Sequence, residues 1–105
     1  MKWAKKLLFG EQAGKKRTSY LWKLKRGKGV PGLSAIVLSE TSPNQFDIID
    51  TGLLMWKKYP KEDLILVGIA KGQDEAMEVI SRLSEEVFKE TGTADMKSYV
   101  MEHNI

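Results

Sequence analysis

The side chains best suited to chemistry are few in this 105-residue sequence, and their spacing assembles no reaction centre. There is no cysteine, which excludes disulfides, zinc-thiolate and iron–sulfur sites and thiol catalysis. The one histidine is His103, close to the carboxyl end of the sequence. A serine nucleophile needs a base and an oxyanion donor held beside it, so Ser34, Ser39, Thr41 and Ser42 lack a partner for hydrolysis. Asp47 and Asp50 fall three apart in a predicted strand, an odd offset that turns them to opposite faces and not into a carboxylate pair. Gly27-Lys28-Gly29-Val30-Pro31-Gly32 is neither a phosphate-binding string ending in Gly-Lys-Ser/Thr nor a dinucleotide fingerprint. Neither a histidine-rich cluster nor a calcium-loop spacing occurs. A lysine with a pKa lowered in a cleft is the enzymatic route still open, and every lysine-rich chain keeps it. No catalytic residue, metal or cofactor is therefore assigned, and the expected role is nonenzymatic.

Charge says more than chemistry. The formal net charge is +3, yet residues 1–30 carry +9 and residues 31–105 carry −6. A basic segment on an acidic body can meet nucleic acid, an anionic surface or an acidic protein. Lys15, Lys16, Arg17, Lys23, Lys25, Arg26 and Lys28 are the candidates for phosphate contacts, using a basic strand and a mobile glycine loop with Tyr20 and Trp22 nearby. Such binding would depend on salt and read sequence weakly. The competing assignment is a protein interface. Trp3, Leu7, Leu8, Trp56 and Tyr99 are apolar or aromatic residues beyond the obvious core, and such residues favour interface centres.

These residues must be positioned by a small set of elements. Trp3, Ala4, Leu7 and Leu8 fit one helical face opposite Lys2, Lys5 and Lys6, so residues 1–18 read as a basic arm or short helix followed by a connector. Its apolar run is too short for a secretory signal, and no stretch reaches the roughly 20 apolar residues that cross a bilayer. A soluble, cytoplasmic protein is expected, consistent with the absence of cysteine. Ser19 to Arg26 alternates Tyr20, Trp22 and Leu24 with lysines, predicting a half-buried strand. Leu33 to Ser39 and Phe46 to Thr51 are further strands, the latter suited to the surface, with a turn over Thr41 to Asn44 between them. Leu53 to Trp56 continues that strand or begins a short helix. Leu64 to Ala70, apolar on both alternating faces, belongs at the centre of the sheet, with Gly68 allowing a bulge or a close approach.

Gln73 to Glu90 is the clearest element. Ala76, Val79, Ile80, Leu83 and Val87 follow helical spacing, Gly72 is placed as N-cap and Gly92 as C-terminal cap. Thr93 can cap a short helix from Ala94 to about Glu102, after which His103, Asn104 and Ile105 are expected to fray. The fold class is α+β: a small twisted, mostly antiparallel sheet of three to four strands covered by a long amphipathic helix, with a short C-terminal helix. Residues 19–105 form the expected single domain. The expected function is a protein-interaction or structural and regulatory module, with a protein partner or a second copy of itself. Salt-sensitive nucleic-acid binding is the alternative.

Overall fold

A computed structural model describes residues 1–43 and 45–103, in the order β1 (Lys2–Phe9), α1 (Glu11–Gly14), α2 (Arg17–Lys25), β2 (Leu33–Ser39), β3 (Asp47–Asp50), α3 (Thr51–Leu54), β4 (Leu64–Lys71), α4 (Gly72–Thr91) and α5 (Met96–His103). The strands lie in the order β1-β4-β2-β3. Strand β2 runs antiparallel to both β3 and β4, while β1 runs parallel to β4, so the sheet is mixed. The α+β class, a sheet of four strands, the long helix and the short C-terminal helix agree with the sequence reading, although only β2, β3 and β4 are strands that it placed. The places of Asn44, Asn104 and Ile105 lie outside the described residues.

The core follows from β4. Every residue of β2 is buried, as is every residue of β4 before Lys71, so helices or loops must cover both faces of the sheet. On one face, Ile36, Leu38, Ile65 and Val67 pack with Ala76, Val79, Leu83 and Val87 of α4. On the other, Leu33, Val37, Leu66 and Ile69 pack with Ala13, Tyr20, Leu24 and Leu54 from α1, α2 and α3. Burying one such aliphatic side chain is worth about 1.5–3 kcal/mol. The side-chain alternation of β4 slips where Ile36 opposes Gly68 but Val37 opposes Leu66. Gly68 takes up that bulge and also admits β1, because a Cβ there would stand 2.8 Å from the Leu8 carbonyl oxygen.

Two local expectations are corrected. Residues 2–9 form an edge strand within the sheet, not an arm or helix. Met1, Trp3, Leu7 and Phe9 pack against one sheet face, and the four-residue offset from Trp3 to Leu7 satisfies period 2 as well as helical spacing. Tertiary pairing with β4 decides between them. Residues 17–25 form helix α2, not a strand: Tyr20 and Leu24 are buried one turn apart, while Trp22 is 59% exposed. The missed signal is Gly27, which adopts φ +77° beyond the helix. Its amide donates to the Leu24 carbonyl and that of Lys28 to the Lys23 carbonyl, the paired bonds that close a helix in a glycine. The segment expected to be a connector contains α1, whose Ala13 is fully buried. The apolar run after Gly52 resolves as α3, with Asp50 capping it through the Gly52 amide at 2.8 Å.

Glu75 joins three of these elements. Its carboxylate accepts hydrogen bonds from the amides of Gln12 and Ala13 at the start of α1, at 2.6 and 3.3 Å, and from the Lys71 amide at the start of α4. Gly10 leaves the room, since a Cβ there would collide with the Glu75 carboxylate. Desolvation pushes the Glu75 pKa up, but the three amides and Arg82 outweigh it and hold it below its ordinary value. A folded-state pKa below the unfolded one stabilises above the ordinary glutamate range, and that contribution fades as pH falls through the folded value. Glu75→Gln should therefore cost about 1–2 kcal/mol at pH 7. Urea unfolding should show the difference from wild type narrowing at pH 3 and below. An unchanged difference across that range would sink the assignment.

Candidate interaction site

Because β1 is the last strand of the sheet, the short helices α1, α2 and α3 cover its face only in part. Trp3, Leu7 and Phe9 are half-buried as a result. Between them and α2 runs a groove of about 670 Å³ whose apolar walls also include Leu21, Leu24 and Met55. Its polar residues are Lys5, Lys6, Arg17 and Lys25, with no carboxylate among the lining side chains. Helical spacing explains the α2 contribution, because Arg17, Leu21 and Leu24 fall at four- and three-residue steps along one flank.

The cations are held over the apolar floor. The Arg17 guanidinium lies 4.2 Å from the centre of the Phe9 ring, and the Lys25 ammonium lies 6.0 Å from that of Trp3. Such stacking orients a cation without neutralising it. Neither Arg17 nor Lys25 has a carboxylate within ion-pair distance among the described residues, whereas Lys2 pairs with Glu40 at 3.0 Å. The groove thus combines apolar surface with two cations, Arg17 and Lys25, available to an incoming anion.

A second, smaller pair of grooves flanks the same strand on the opposite sheet face. One of about 250 Å³ lies between Leu8 and α4, and one of about 340 Å³ reaches Tyr99 and His103 of α5. Lys5 and Lys6 line this last groove as well as the large one, so they straddle the strand.

The structure redistributes the sequence candidates. Lys15 and Lys16 cap α1 and α2, Arg17, Lys23 and Lys25 belong to α2, Arg26 follows it and Lys28 enters the loop. They sit on helices and their ends, not on a basic strand, and only Arg17 and Lys25 of the seven line the large groove. Lys23 is about 160° around the helix from Lys25. Arg26 stacks 4.3 Å above the exposed Trp22 ring, apart from the groove. The glycine loop is clamped: the Thr51 hydroxyl accepts from the Val30 amide at 2.9 Å and donates to its carbonyl at 2.8 Å, and the Gly32 amide donates to Asp50. Gly29 lies against the Thr51–Gly52 backbone, leaving no space for a Cβ.

The apolar candidates separate likewise. Trp3 and Leu7 meet in the large groove, Leu8 and Tyr99 meet across the sheet, and Trp56, 56% exposed, stands apart after α3. Met55 and the groove-lining lysines Lys5 and Lys6 were absent from the sequence candidates. The signal for Lys5 was the strand alternation of Met1, Trp3, Lys5, Leu7 and Phe9; Lys6 falls outside that alternation.

The remaining polar clusters tie the fold together. Asp63 accepts from the hydroxyls of Ser39 and Thr41, both at 2.6 Å, and these bonds hold its carboxyl below the usual range. Among the described residues no three His, Asp or Glu side chains gather in a way that could hold a metal ion, and no helix is long and apolar enough to cross a membrane. Tyr99 donates to Glu90 at 2.6 Å and stacks on His103 at 4.4 Å between ring centres. The hydrogen bond to Glu90, then desolvation and the carboxylate charges of Glu90 and Glu86, push the Tyr99 phenol up to about 12. Ultraviolet titration of Glu90→Gln should show one tyrosine ionising at lower pH than in wild type, and superimposable curves would remove this bond from the account.

No family model matches the chain, and no curated protein or solved structure is found to be similar to it.

Proposed function

We propose that this chain is a nonenzymatic protein-interaction module whose contact surface is the groove between β1 and α2, and whose partner presents acidic and apolar residues together. The observation that carries the proposal is the lining of that groove, apolar walls with four cations and no carboxylate. Apolar area supplies affinity, and the cations select the sign of the partner and steer its approach. The acidic side chains Asp74, Glu78, Glu85 and Glu90 are on α4, which covers the other sheet face, so the sequence asymmetry supports one basic contact side.

Nucleic-acid binding is the second reading. It draws on the same cations together with exposed Trp22 under Arg26, a pair suited to stacking an unpaired base. The two readings separate in one titration series. An extended peptide of alternating glutamate and leucine should bind at about 0.15 M salt, where exposed charges further apart than roughly 8 Å are screened. The double substitution Arg17→Glu with Lys25→Glu should weaken it by about tenfold or more. A single-stranded oligonucleotide of equal charge should bind less tightly than the peptide. Preference for the oligonucleotide, with a steep salt slope, would replace the protein reading by the nucleic-acid one.

A further inference from the structure

We infer that the outer edge of β1 is a strand-addition site, at which an extended acidic segment of a partner protein pairs with the sheet and sends alternate side chains into the grooves on its two faces. The inference rests on the protein-interaction reading and specifies how the partner is held.

Three features lead to it. The first is topological. Strand β1 pairs with β4 on one side and ends the sheet on the other, so its outward main-chain groups have no strand beside them among the described residues. Such an edge is a template for another chain. The second is the pair of grooves. Residues of an added strand, about 4.8 Å beyond β1, alternate between faces. One set, the acidic one, would lie over the groove holding Trp3, Leu7 and Phe9 beneath Arg17 and Lys25, and the other, apolar, over the grooves beside Leu8, which Glu86 also lines. Half-buried side chains on both faces of β1 would thereby be covered by one incoming segment. Main-chain bonds then give affinity, and alternate pockets give specificity.

The third feature is charge. Lys2, Lys5 and Lys6 are exposed along β1, Lys2 within its ion pair to Glu40, and Arg17 and Lys25 lie over its aromatic residues. A second copy pairing β1 against β1 would set lysines against lysines, whereas an acidic strand meets them favourably. The ladder with β4 is irregular between Trp3 and Leu8, where Ala4 to Leu7 oppose Val67 alone. Bulges and lysines are the devices that blunt an edge against indiscriminate pairing. Here they leave an edge selective for charge, with regular pairing at both ends.

The test alters the ligand, so folding of the protein is not at risk. Three synthetic octapeptides of alternating glutamate and leucine are compared on the full chain by calorimetry: the parent, one N-methylated at odd positions and one at even positions. Strand addition uses the amides of one edge of the peptide, so one methylated form should bind about tenfold or more weakly while the other stays near the parent. Hydrogen exchange at the amides of Lys2 to Phe9 should slow on binding the parent. Equal binding of all three peptides, with loss in the Arg17→Glu, Lys25→Glu protein, would overturn strand addition and leave the interaction reading standing. No binding of any peptide would overturn both. A dimer of the free protein that dissociates on Lys5→Glu would also overturn the inference, by assigning the edge to a second copy.

Discussion

Strand β4 is apolar on both faces and lies between two other strands, and that constraint organises the molecule. A sheet buried on both sides needs two covering layers. In a chain of this size only one long helix is available, so α4 supplies one layer and a patchwork of α1, α2, α3 and loop supplies the other. A patchwork has seams. One lies where α2 meets the edge strand β1, and there the groove opens.

The short elements of that layer cannot hold themselves in place. Helix α1 has four residues, far below the length at which an isolated helix persists in water. Its start is fixed by Glu75 from the opposite layer, and the loop after α2 is fixed by Asp50 and Thr51. These bonds satisfy main-chain donors that would otherwise be left without partners near the core. They also explain why the glycines at 10 and 29 sit where a side chain has no room. The glycine loop after α2 is thus part of the scaffold.

The same layering sorts the charges. Cations cluster on the patchwork side because β1 and α2 both come from the first 30 residues, and the acids of the amphipathic α4 point away from its buried stripe. Arg17 and Lys25 rest on aromatic rings and not on carboxylates, which preserves their charge for a ligand. Lysines on the edge strand repel a like edge. In the interaction proposed above, the features that would guard the sheet against self-pairing also define the chemistry of the partner.

Much of this was legible in the residues themselves. The stripe from Ala76 to Val87 could bury only as a helix ended by Gly92, which adopts φ +73°, and the run Leu64 to Ala70 could only be central. Local periodicity and composition decide such elements, because no other conformation hides their apolar atoms. Residues 2–9 and 17–25 were different. Trp3 and Leu7 suit a strand or a helix, and Tyr20, Trp22 and Leu24 imitate a strand although Tyr20 and Leu24 also stand one helical turn apart. For those segments the choice lay in contacts with β4 and the sheet face, far away along the chain. The groove belongs to the same class. Sequence alone set the excess of cations near the amino terminus, but which cations converge depends on the packing of α2 beside β1, a long-range contact that no local pattern encodes.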